Sequence, residues 1–233
     1  MLPTRLLRQV RKSVRFGALL ALFAVTFSVG LLYTQSAFQV PSGTFAPTGA
    51  MAEARAGASA ALLADGRILI TGGTGASGAL ASAEYFSGGA FSTAPAMGTA
   101  RSRHASVALK DGRVLVTGGV SASGAPVNSA EIFSGSSWSS ASAMTEARAG
   151  HTATLLADGR VLIAGGENAS GVSQSVEIFN PSTGLFSYVG QLSLPRKDHA
   201  AAVLADGRVL IAGGSFGGTS PSASSDIYNP APR

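Results

Sequence analysis

The chain has 233 residues, 45% of them hydrophobic, with 30 glycines and only 12% charged residues, a balance that allows a substantial core and reads as many short strands joined by tight turns, so all-β is the expected class. It contains no cysteine, which excludes disulfides, thiolate chemistry and lipoprotein attachment. The formal charge of +5 is concentrated at one end: Arg5, Arg8, Arg11, Lys12 and Arg15 are five of the 17 basic residues, leaving 12 basic against 12 acidic groups from residue 16 onward, so nucleic acid is not an expected partner of the neutral remainder.

Residues 1–15 therefore read as a basic cytoplasmic lead. From Phe16 to Tyr33 no charge occurs, and none follows until Glu53; as a helix, eighteen residues would span about 27 Å, close to the hydrocarbon thickness of a bilayer. Cations ahead of such a run and none just behind it predict a cytoplasmic N-terminus and an exported remainder. Residues 16–37 are read as an uncleaved signal anchor or a cleaved signal peptide, with Thr34-Gln35-Ser36 a mediocre cleavage site. The expected location is the cell membrane, single-pass with the repeats exported, or the periplasm or exterior if the segment is removed.

The remainder, 38–233, is organised by repetition. Asp65-Gly66, Asp111-Gly112, Asp158-Gly159 and Asp206-Gly207 recur at steps of 46, 47 and 48 residues, each opening a run that ends in a glycine pair: Gly72-Gly73, Gly118-Gly119, Gly165-Gly166 and Gly213-Gly214. A fixed period of this length signals a repeat architecture. Arg55, Arg101, Arg148 and Arg196 stand ten residues before each Asp; His104, His151 and His199 follow three after their Arg, with Ala58 in the first copy. Glu84, Glu131, Glu177 and Asp226 lie downstream, each two residues before an aromatic: Phe86, Phe133, Phe179 and Tyr228. Repeat cores run over about 55–99, 101–146, 148–194 and 196–230.

Within one unit, His151–Leu156 is expected as strand one, Asp158-Gly159 as a two-residue hairpin turn needing positive φ, Arg160–Ala164 as strand two, Ser175–Phe179 as strand three and Leu185–Val189 as strand four after the Asn180–Gly184 turn. Four antiparallel strands per unit make a propeller blade. The residues R-x-x-H, DGRVLIAGG and VEIFNPSTGLF resemble the Kelch repeat, in four copies over about residues 38–230. The resemblance implies a β-propeller whose first strands lie nearest the axis. Four units are fewer than the usual six or seven. Phe45 stands ten residues before Arg55, as Phe91, Trp138 and Phe186 stand before the next Arg. The chain thus supplies a fourth strand first and ends after a third, which is how propellers close. A closed four-blade ring and an open arc both fit.

Features present in every blade read as scaffold. The repeated Arg and Glu are expected as ion pairs, and the glycine pairs lack the context of phosphate loops. The three histidines could converge on the axis as a metal site, but a hydrogen-bonded strand residue is the simpler reading; no metal or other cofactor is expected. Individuality lies in the loops after each glycine pair, which alternation of strand direction places on one face with the segments leading to each first strand. The candidate binding residues there are Arg103, Asn128, Glu167, Asn168, Lys197, Asp198 and Phe216. Asn168-Ala169-Ser170 is a sequon, meaningful in a eukaryotic secretory pathway. No catalytic cluster stands outside the repeat. The expected function is an exported binding or scaffold module recognising protein or carbohydrate, with a homo-oligomer possible if the propeller is open. The alternatives are a carbohydrate-active enzyme, since the Kelch resemblance extends to galactose oxidase and sialic acid epimerases, or a fragment without independent function. Copper-radical oxidation is excluded by the missing cysteine.

Overall fold

The computed structural model of the chain describes Gly43, residues 46–217 and residues 220–230; the basic lead, the segment 16–37 and Pro41, Ser42, Thr44 and Phe45 of the proposed N-terminal strand lie outside the described residues, and residues 46–51, the rest of that segment, form no strand. Among the described residues no helix is long and apolar enough to cross a membrane. The blades fall in one compact unit, Thr48–Arg233.

Four antiparallel sheets follow one another in sequence order. Blade 1 comprises Ser59–Leu62, Ile68–Thr71, Ala83–Ser87 and Ala90–Ala94; blade 2 comprises Ala105–Ala108, Val114–Thr117, Ala130–Phe133 and Trp138–Ser140. Blade 3 comprises Thr152–Leu155, Val161–Ala164, Ser175–Asn180 and Leu185–Gln191. Blade 4 has three described strands, Ala200–Val203, Val209–Ala212 and Ser225–Tyr228. The result is an all-β, four-blade propeller arrangement. Strand bounds match the expectations from the repeat to within one or two residues.

The turn between the first two strands differs from the expected two-residue form. Leu156 donates to the Arg160 carbonyl at 2.8 Å and Gly159 to the Leu156 carbonyl at 2.9 Å, so the loop holds three residues and only the glycine is left-handed, at φ 90. That geometry suits Asp158: its carboxylate accepts the Arg160 amide at 3.0 Å and the Arg160 Nε at 2.6 Å, bonds that replace the second positive φ of the shorter turn. The same pair of bonds recurs at Asp65–Arg67, Asp111–Arg113 and Asp206–Arg208.

Each second strand is apolar at successive positions because a blade is covered on both faces. Val114 and Val116 pack with Leu69, Tyr85 and Phe133 in the core between blades 1 and 2, while Leu115 turns the other way and packs with Val161, Ile163 and Phe179. Leu162 and Ile178 continue the pattern against Val209 and Ile211. Side chains of period two thus build one core per blade junction.

The glycine pairs act at these junctions. A Cβ on Gly118 would lie 2.3 Å from the Arg148 carbonyl oxygen and 2.8 Å from His151 Cε1, both in the next blade. The following Gly119 donates to that same carbonyl at 2.8 Å. Gly118→Ala is therefore expected to destabilise the protein by about 2–4 kcal/mol, summing over-packing against backbone and a side chain at φ 59. Gly213→Ala, where among the described residues only the Ser222 carbonyl oxygen lies near, at 3.9 Å, carries the backbone strain alone, about 1–2 kcal/mol. Urea unfolding of the two variants distinguishes them; equal losses would contradict the packing role.

Candidate functional site

The repeated polar residues build the frame that holds the site. Arg148 is fully buried; its Nη1 donates to the carbonyls of Gly165 at 2.7 Å and Ser175 at 3.1 Å, and its Nη2 to Ser175 Oγ at 2.8 Å and Glu177 Oε1 at 2.5 Å. Glu177 in turn accepts the Thr145 amide at 2.8 Å. One guanidinium thereby ties the strand two exit to strand three and to the segment entering the blade. Arg55–Glu84, Arg101–Glu131 and Arg196–Asp226 repeat the pair at 2.8 Å each, as the repeat led one to expect.

The histidines stitch blade to blade. His104 Nε2 lies 2.9 Å from Thr71 Oγ1 and His151 Nε2 2.8 Å from Thr117 Oγ1, each threonine belonging to the preceding blade. In blade 3 the equivalent position is Ala164, and His199 Nε2 instead meets Thr152 Oγ1 at 3.0 Å. Their hydrogen bonds place all three imidazoles at blade junctions; among the described residues no group of three or more His, Cys, Asp or Glu side chains could hold a metal ion.

The loops after the glycine pairs do share a face with the segments leading into each blade. Bridges join Ala56 to Thr74, Ala149 to Glu167 and Lys197 to Ser215, and Val120 pairs with Ser102. On this face a rim of backbone hydrogen bonds runs from blade to blade: Arg103 donates to Gly57 at 2.8 Å, Gly150 to Arg103 at 2.9 Å and Asp198 to Gly150 at 2.8 Å. These four residues each stand two after the blade's arginine, and all four are left-handed, with φ of 53 at Arg103, 62 at Gly57, 64 at Gly150 and 52 at Asp198. Blades 1 and 3 use glycine there, which adopts such φ freely; blades 2 and 4 carry Arg and Asp, for which it is strained.

The strained side chains meet. Arg103 Nη2 reaches the Asp198 carboxylate at 3.1 and 3.0 Å, and Arg103 Nη1 reaches Glu167 Oε1 at 2.5 Å. Lys197 Nζ pairs with the other oxygen of Glu167. Gly150 lies beneath the bridge: a Cβ on it would stand 2.5 Å from Asp198 Oδ1 and 2.9 Å from Arg103 Nη2. Burial alone would raise the Glu167 carboxyl, but the hydrogen bonds from Lys197 and Arg103 outweigh it and hold it below the ordinary glutamate value. The site is thus a half-exposed, formally neutral network of two cations and two anions joining blades 2, 3 and 4.

Of the seven candidates taken from the loops, the structure brings together Arg103, Glu167, Lys197 and Asp198. The other three are elsewhere. Asn128 donates to the Met144 carbonyl at 3.2 Å, Asn168 Oδ1 accepts the Ser170 amide at 2.8 Å within its own hairpin, and Phe216 is exposed, its amide donating to the Ser220 carbonyl at 3.3 Å. Gly57 and Gly150 belong to the rim and were not singled out by sequence; the visible signal was their alignment, two places after each arginine, with Arg103 and Asp198.

No family model and no curated protein sequence matches the chain. Among solved structures it is similar to that of YjhT, with a TM-score of 0.65 and 15% identity, over 78% of this chain and 71% of that one. At that identity the likeness concerns the fold alone, and it accords with the four-blade β-propeller arrangement described above.

Proposed function

We propose that the chain is an exported, membrane-anchored propeller module of the Kelch type that binds a polar partner, protein or glycan, through the rim of its loop face. The observation that carries this reading is the pair Arg103 and Asp198: two non-glycine residues held at left-handed φ where the other two blades use glycine. Retained backbone strain at non-repeated charged residues marks a function more than a scaffold. The basic lead followed by the uncharged run Phe16–Tyr33 supports export and anchoring. The Arg-x-x-His and glycine-pair positions, each with a defined role at a blade junction, support the Kelch assignment.

A binding role is favoured over sugar chemistry by the charge state of the rim. Acid–base catalysis needs a group that titrates near the working pH. Glu167 is held low, and both rim cations are committed to ion pairs. The test is a glycan and surface-protein binding screen with the full chain in detergent, alongside Arg103→Ala. Expected is a discrete set of ligands whose affinity falls at least about tenfold in the variant, the loss of one charge-assisted contact. Binding unaffected by the substitution, or no ligand at all, would contradict the proposal.

A further inference from the structure

The blade junction is made three times between blades 1 and 4, and among the described residues blade 1 and blade 4 each carry one half of it unmatched. Inside, the first glycine of each pair receives the next blade's arginine carbonyl and the second glycine donates to it: Gly73 to Arg101 at 2.9 Å, Gly119 to Arg148 at 2.8 Å and Gly166 to Arg196 at 2.8 Å. The space above Gly72, Gly118 and Gly165 is filled by that carbonyl at 2.3, 2.3 and 2.4 Å from a would-be Cβ. Blade 4 keeps the same glycine pair with the same left-handed backbone, φ 71 and 83. Among the described residues, Gly213 nevertheless has only the Ser222 carbonyl oxygen near it, at 3.9 Å, and Gly214 donates to no arginine carbonyl.

The apolar faces tell the same story by position. Tyr85, Ile132 and Ile178 occupy one place in strand three and are buried against the following blade; Ile227, in that place in blade 4, is 50% exposed. At the other end, Val114, Val161 and Val209 are fully buried against the preceding blade, whereas Ile68 of blade 1 is only half-buried. Arg55 is held as the other arginines are, through Gly72, Ser82 and Glu84, so its carbonyl stands where the internal junctions place the plug. Among the described residues, blade 4 thus presents a socket that nothing fills and blade 1 a plug that nothing receives, the two of matching design.

We propose that blade 4 of one copy seats blade 1 of a second copy, repeating in trans the junction made three times in cis. The occupant is a second copy because the socket is shaped for a blade of this repeat: an arginine carbonyl over Gly213, a small residue such as Ala58 beside it, and an apolar leading face against Ile227. Such a contact is heterologous, joining different surfaces of two identical chains head to tail.

Cysteine cross-linking of the full-length chain in membranes tests this, since the natural sequence has no thiol. Ser59 Oγ and Ser106 Oγ lie 2.6 Å apart across the first internal junction. The equivalent pair at the proposed contact is Ala200 of one copy and Ala60 of the next, both exposed in the single chain. Co-expressed Ala60→Cys and Ala200→Cys chains are expected to give an oxidised species of twice the 23.2 kDa monomer, absent with either alone and lost when Ile227→Glu is added. No such species, its persistence with Ile227→Glu, or an intrachain disulfide in the Ala60→Cys/Ala200→Cys double variant would overturn the proposal.

Discussion

Arg148→Ala is expected to remove a large share of the stability of the propeller, about 3–5 kcal/mol, out of the roughly 5–15 kcal/mol that a folded domain has in total. The size follows from what the substitution leaves behind. Glu177 and Arg148 are both fully buried, so deleting the guanidinium strands a carboxylate without its countercharge and deprives the Gly165 and Ser175 carbonyls of their shared donor. Unpaired groups of this kind bear nearly their whole desolvation cost. Arg148→Met with Glu177→Leu removes both charges together and is expected to recover part of the loss, which a single contact-counting view would not anticipate. Urea midpoints of the three proteins decide the matter. A single variant as stable as wild type would show that the ion pair is not what holds strand three to the blade entrance.

Acidification is expected to weaken the fold well before carboxylates titrate. Burial, and after it the neighbouring Arg101 guanidinium, lowers His104 from 6.5 to about 3. Burial and then Arg196 lower His199 from 6.5 to about 4. His151 is held well below 6.5, chiefly by burial and then by Arg148. The folded protein therefore keeps all three imidazoles neutral while the unfolded chain takes up protons below about pH 6.5. Stability is full above that value and falls as the pH drops toward the folded values, by about 1.4 kcal/mol per histidine at pH 5.5, or about 4 kcal/mol for three. His104→Gln, whose amide can meet Thr71, is expected to reduce the loss by about a third. Unfolding free energies at pH 7.5 and 5.5 test this; a constant or rising value on acidification would mean that the imidazoles are charged in the folded state.

How much of this was legible in the sequence depends on whether a feature is set by periodicity or by contact. The Asp-Gly spacing, the glycine pairs and the Arg–Glu positions fixed the strands, their register and the loop face, because a recurring blade leaves recurring residues. Four of the seven loop candidates, Arg103, Glu167, Lys197 and Asp198, meet on that face for the same reason. Other features arise only when blades stack. The bond from His104 to Thr71 crosses a junction, and its substitute in blade 4, from His199 to Thr152, follows from the single change of threonine to Ala164. The ion pair between Arg103 and Asp198 spans 95 residues of sequence and lies over Gly150, a geometry that no local pattern encodes. The three-residue turn at Asp158 was hidden because an Asp-Gly pair suits two hairpin forms.

The central claim is that strain at the rim is kept for binding. Arg103→Gly/Asp198→Gly gives blades 2 and 4 the glycine already present in blades 1 and 3. It releases two left-handed side chains, at roughly 1–3 kcal/mol each, against two partly exposed ion pairs, Arg103–Asp198 and Arg103–Glu167, each worth about 1 kcal/mol or less. The decisive measurement is the ligand affinity of this double variant, with its melting temperature read on the same sample. The predicted result is a fold at least as stable as wild type that no longer binds; a destabilised protein with unchanged affinity would contradict the claim and place Arg103 and Asp198 among the residues that merely hold the blades together.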